Sequence, residues 1–94
     1  MSKIFNLGQI VSTACVHAMK EENPEFCKFL SDCLMKYMVG DWGDTCEEDA
    51  KQNDERVESD GQILAVYKFN KDITVWFVTE WDRSVTTILF PEEY

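Results

Sequence analysis

Residues 41–60 hold nine of the chain's eighteen acidic side chains and only two basic ones, Lys51 and Arg56. Read as a helix, this stretch sets carboxylates four residues apart, about 6 Å along the axis. Asp54 and Glu58 then share a face, at a separation comparable to neighbouring phosphates on a nucleic-acid strand. Glu47 falls on nearly the same side. Such a row could occupy a Lys- and Arg-lined groove in place of a nucleic acid. The plainer reading is a solvated helix face that keeps the protein soluble. Asp41, Asp44, Glu48 and Glu55 strengthen the same negative field. Trp42 and Trp81 stand in turns next to aspartates. If exposed, each would anchor a protein interface, where aromatic residues dominate the energy; burial in the core is the commoner outcome.

The candidate zinc ligands are Cys15, His17, Cys27, Cys33 and Cys46. The cysteines are separated by 12, 6 and 13 positions, which matches no standard zinc spacing. On a helix Cys15 and His17 point in nearly opposite directions, and Cys27 and Cys33 diverge by about 120°. A tetrahedral site would need Cys15 or His17 brought by packing to Cys27, Cys33 or Cys46. The alternative is that free thiols pack as small apolar side chains. Asp44, Glu47 and Glu48 could hold a hard cation, but the calcium-loop pattern is absent. There is one histidine, and no P-loop, G-x-S-x-G or H-E-x-x-H. These absences argue against catalysis and give no reason to expect an organic cofactor.

The net charge is −9. It would repel phosphates, so the expected partner is a basic protein surface rather than nucleic acid itself. At 45% hydrophobic and 13% aromatic the chain is too apolar for a disordered acidic tail. Its 94 residues suit one domain with a small margin of stability, which a homodimer could relieve. Near the N-terminus Asn6, Gly8, Gln9, Ser12 and Thr13 interrupt the apolar run that a secretory leader needs. No stretch approaches the roughly 20 apolar residues of a membrane span. A cytoplasmic protein with free thiols is the expectation.

The elements that must position these groups follow from pattern. Residues 5–11 read as a strand. Ser12 or Thr13 can cap a short helix whose apolar stripe is Ala14, Cys15, Ala18 and Met19. Asn23-Pro24 starts a second helix, with Phe26, Cys27, Leu30, Leu34, Tyr37 and Met38 facing inward and Gly40 ending it. Thr45 and Glu48 match a capping box opening a third helix over 46–58. Its apolar side chains are few, namely Cys46, Ala50 and Val57, so it should lie on the outside. Strands over 62–69, 73–80 and 85–90 follow, joined by short hairpins. Both faces of the central strands are apolar. One should pack on helices, the other under the first strand, the C-terminal tail or a second copy. Asp82 and Arg83 are expected to form an ion pair or to pin their hairpin, with the acidic segment or the C-terminal acids within reach. The fold class is α+β: a strand, two or three helices, then a three-stranded antiparallel meander, in a single domain.

Several motifs carry a resemblance to one group of proteins. They are Gly40-Asp41-Trp42-Gly43-Asp44, then Glu48, Asp49 and Asn53, then Thr79-Glu80-Trp81-Asp82-Arg83-Ser84 with Thr86, Thr87, Leu89, Pro91, Glu93 and Tyr94. With Leu7 to Val11, this pattern resembles a family of acidic proteins of about ninety residues from phages, plasmids and other bacterial mobile elements. The resemblance covers nearly the whole chain. It implies a setting in which small acidic proteins inhibit host defence, through restriction enzymes or CRISPR (Cas) nucleases. Tyr37 stands where relatives often carry histidine, so no role for that imidazole is carried over.

Overall fold

A computed structural model describes residues 4–94; residues 1–3, where the segment read against a leader begins, lie outside it. The chain runs β1 (Gln9–Ser12), α1 (Ala14–Glu22), α2 (Pro24–Met38), α3 (Glu47–Val57), β2 (Ile63–Lys68), β3 (Thr74–Thr79), β4 (Val85–Leu89) and a 3-10 turn (Pro91–Glu93). This is an α+β fold with a mixed four-stranded sheet in the order β1-β4-β3-β2. The antiparallel meander expected for the last three strands is present. It is not the whole sheet, because β1 pairs parallel to β4, with Gln9 opposite Val85 and Ser12 opposite Ile88.

The first strand is shorter than its sequence implies. The Asn6 side chain accepts a hydrogen bond from the Gly8 N–H at 2.9 Å, and Gly8 has φ +65°, so the backbone turns before Gln9. Phe5 and Leu7 are both buried, as alternate strand residues would be, but they enter the core from a turn. The stripe expected on α1 is also displaced. Ala14, Cys15 and Ala18 are exposed; Val16 is buried and Met19 packs against the core. Thr13 caps this helix, accepting from the Val16 N–H, while its hydroxyl donates to Glu93 at 2.8 Å.

The second helix follows its signals closely. Asn23 accepts from the Glu25 and Phe26 N–H groups at 3.1 and 3.2 Å. At the other end Gly40, at φ +82°, donates to the Tyr37 carbonyl, and Asp41 donates to that of Lys36. This is the paired closure that a left-handed glycine permits. Phe26, Leu30, Cys33 and Tyr37 are buried against Ile63, Ala65, Tyr67, Val75, Phe77 and Ile88 of the sheet. The Tyr37 ring lies 5.3 Å from Phe5, 5.6 Å from Trp42 and 5.3 Å from Phe77.

A hydroxyl relay crosses this core. The Thr86 hydroxyl donates to the Leu7 carbonyl at 2.7 Å. Each hydroxyl has one proton to give, so Thr79 donates to Thr86 at 2.8 Å and Tyr37 to Thr79 at 2.6 Å. Two threonines on the inner sheet face are thereby satisfied without water, and helix, sheet and N-terminal segment are tied together.

Burial pushes the Cys33 thiol up from 9.0 to about 12, and it also raises the phenols of Tyr37 and Tyr67 above 10.0. The unfolded chain therefore releases these protons first as pH rises, and stability falls with pH. The midpoint of urea unfolding should hold steady up to about pH 8 and decline progressively from about pH 9. A flat profile to pH 11 would contradict the burial of these groups.

Candidate functional site

The acidic segment is first of all the cover of an open sheet edge. β2 is the last strand, and an uncovered edge offers unpaired N–H and C=O groups to other chains. Here its outward groups are met one after another. Arg56 donates to the Gln62 carbonyl at 3.0 Å. The Asn53 amide donates to the Leu64 carbonyl at 2.8 Å and accepts from the Leu64 N–H at 3.3 Å, as a neighbouring strand would. Thr45 accepts from the Val66 N–H, the Asp44 N–H donates to the Val66 carbonyl, and the Asp44 carboxylate accepts from the Lys68 N–H, each at 2.8 Å.

That use of Thr45 corrects the expected capping box. Its hydroxyl serves Val66 and donates to the Trp42 carbonyl at 2.6 Å, so the N-cap is Cys46, with no side-chain capping bond. Glu47, Glu48 and Asp49 still occupy the first turn, where the helix dipole favours negative charge.

Trp42 is not available as a contact anchor. It is buried, packs against Phe5 and Tyr37, and donates its indole N–H to Asp54 at 2.9 Å. Asp54 is thereby drawn out of the row it was expected to form with Glu47 and Glu58. Asp41 accepts from the Gly43 N–H at 3.1 Å, and its carbonyl receives the Tyr67 hydroxyl at 2.8 Å. Trp81 differs: it is 63% exposed at the β3–β4 turn.

Glu47, Glu48, Asp49 and Glu55 on α3, and Glu58 at its C-cap, are exposed. Among the described residues the ion pairs are His17–Glu21 at 3.0 Å and Lys28–Asp32 at 3.1 Å, both outside this segment. The two nearby guanidiniums are turned to backbone instead. Arg56 holds the Gln62 carbonyl. Arg83 donates to the carbonyls of Gly61 at 2.7 Å, Glu80 at 3.2 Å, Arg56 at 2.5 Å and Ser59 at 2.9 Å. A cation here meets the negative end of the α3 dipole and the last carbonyls of that helix. The expected ion pair between Asp82 and Arg83 does not form, since Asp82 accepts from the Ser84 N–H and hydroxyl. Those two bonds, the hydroxyl's first, hold its carboxyl below the ordinary range.

The candidate metal ligands are scattered. Cys15 and Cys46 are exposed, Cys27 is half-buried, Cys33 is buried, and His17 pairs with Glu21. Among the described residues no group of three or more His, Cys, Asp or Glu side chains is placed to share an ion. Burial pushes the Cys33 thiol up to about 12, so it is protonated near neutral pH.

Three features escaped the sequence reading: the Asn53 edge mimic, the Arg83 clamp and the threonine relay. Asn53 had a detectable signal. It lies between Ala50 and Val57 on the one sparsely apolar stripe of α3, where a polar side chain must find backbone partners. No protein-family model matches this chain, and no curated protein or solved structure matches it either.

Proposed function

We propose that this protein binds rather than catalyses. In this reading the outward carboxylates of α3 dock on a basic, nucleic-acid-binding surface of another protein. A host defence nuclease such as a CRISPR effector presents such a surface, and occupying it would block loading of the nucleic acid. The observation that carries this reading is the state of α3. The helix is held along the β2 edge by Asn53 and Arg56, while Glu47, Glu48, Glu55 and Glu58 face outward with no intramolecular cation among the described residues. A fixed helix presents this charge with little backbone ordering cost, leaving only the side chains to be ordered on binding. Exposed Trp81 offers apolar area at another turn. The setting comes from the motif resemblance to mobile-element proteins.

The test is the triple variant Glu47→Lys/Glu55→Lys/Glu58→Lys, which moves the net charge from −9 to −3, two units per position. It leaves the Trp42–Asp54 bond untouched. Lysine loses dipole energy at position 47 and gains it near the helix end at 55 and 58, so stability should change by less than about 1 kcal/mol. In bacteria carrying a CRISPR effector, the wild type should protect an incoming plasmid from interference and the triple variant should lose that protection by at least about tenfold, with unchanged circular dichroism. Binding of the purified nuclease should weaken between about 50 and 500 mM salt, as screening requires. Equal protection by both forms would reject α3 as the docking surface. Absence of protection by the wild type, against CRISPR and restriction alike, would reject a defence target.

A further inference from the structure

We infer that the outer face of the sheet is the contact surface for a second copy of this chain, stacked face to face. The core takes its sheet residues from one side only. The other side carries Leu64, Val66, Trp76 and Thr87, all partly exposed, around Val78 and Leu89. Val78 and Leu89 are already buried, at 2% and 6% exposure, though outside the cluster under the helices. Tyr94, 67% exposed, leans edge-on against Trp76 at 5.4 Å and its hydroxyl donates to Gln62 at 3.5 Å, so the C-terminal tail crosses part of this face and adds its own exposed ring to it. A sheet apolar on both faces buries both, and here the helices serve only one.

Size and charge both point to a second copy as the occupant. The strands have four, six, six and five residues. At about 4.8 Å between strands and 3.3 Å per residue, the face measures roughly 19 by 20 Å, on the order of 400 Å² in plan. Two such faces come to about 800 Å² in plan, and the exposed Tyr94 ring on each brings the total toward the roughly 1,000 Å² lower bound for a specific interface. In a chain of net charge −9 the middle of this face is uncharged, so two copies can meet here without pressing carboxylates together. The outward strand residues at its two ends carry opposite charge, Lys68 at one and Glu80 at the other, with exposed Asp44 and Asp72 flanking the Lys68 end. Lys68 ends β2 opposite Thr74, whereas Glu80 follows Thr79, which pairs with Ile63 at the far end. A two-fold axis lying between the sheets and perpendicular to the strands reverses strand direction. It sets the Lys68 end of each copy over the Glu80 end of the other. Stacked sheets about 10 Å apart are a standard packing. The contact leaves α3 outward in both copies and does not depend on the docking role proposed for that helix.

Sedimentation equilibrium of the full chain from about 5 μM to 1 mM is the test. The mass should rise from 11.0 kDa to about twice that value. Thr87→Arg, in the middle of the face, should stay monomeric throughout with an unchanged melting curve. Lys68→Glu should weaken association by roughly tenfold by setting like charges together, and Lys68→Glu/Glu80→Lys should restore it to within about threefold. If Thr87→Arg misfolds, the charge swap alone decides. A mass of one chain at every concentration, or a dimer indifferent to these substitutions, overturns the inference.

Discussion

Arg83→Met should cost about 3 kcal/mol of stability, seen as a fall in Tm of roughly 12–24 °C for a domain of this size. Methionine keeps much of the length and none of the donors. Four carbonyls, from Arg56, Ser59, Gly61 and Glu80, lose a charged partner at once. Hydrogen bonds to a charged group contribute about 1.5–3 kcal/mol each, but this site is partly open and water can replace some of them. The guanidinium also lies 5.9 Å from the Phe5 ring centroid, so the N-terminal segment should loosen too. Arg83→Lys should fall between, because an ammonium lacks the planar fork that reaches several carbonyls. Arg83 adopts φ +61°, an unfavourable backbone for a branched-off side chain. Arg83→Gly would relieve that strain yet still lose the clamp, so it should remain destabilised. A loss below about 1 kcal/mol for Arg83→Met would show that the clamp contributes little in solution.

Trp42→Ala is expected to lower stability by about 3–5 kcal/mol, the range for removing a large buried aromatic. The ring fills the space between Phe5 and Tyr37 and anchors the start of the acidic segment through Asp54. With so short a chain this loss is a large fraction of the total. Trp42→Phe should cost closer to 1–2 kcal/mol, since it keeps part of the packing and leaves exposed Asp54 to water. Urea unfolding followed by circular dichroism measures both. The pattern separates two roles. A contact residue would lose partner affinity at constant stability, whereas a core residue loses stability first. A Trp42→Ala protein as stable as wild type would place this ring outside the core.

Much of the architecture was legible because the signals were local. Asn23-Pro24 and Gly40 bound α2 through backbone chemistry within a few residues, and the stripe from Phe26 to Tyr37 has only one way to face a sheet. The hairpins were legible for the same reason. The misreadings came where a side chain had two plausible partners. Thr45 could have capped α3; the β2 edge was the stronger claimant because its Val66 N–H had no neighbouring strand to pair with. Trp42 beside aspartates looked like a surface anchor, and its aspartate partner proved to be Asp54, twelve residues on. The stripe on α1 failed because alanines give little reason for one face to be buried over another, and Val16 took that place.

For the candidate site the division is similar. Composition alone determined that residues 41–60 form a dense negative surface, and helix periodicity determined that most of its carboxylates project together. What each of them does was decided by tertiary structure: Asp44 and Asp54 remain exposed but accept from the Lys68 backbone N–H and the Trp42 indole, while Arg56 and Arg83 turn to carbonyls and leave Glu47, Glu48, Glu55 and Glu58 without a cation among the described residues. The placement of the first strand parallel to β4, and the partly open outer face crossed by the C-terminal tail, also lay beyond sequence. Spacing along a chain sets which side chains share a face. Whether that face meets water, an edge strand or another cation depends on groups dozens of residues away, brought close only by packing.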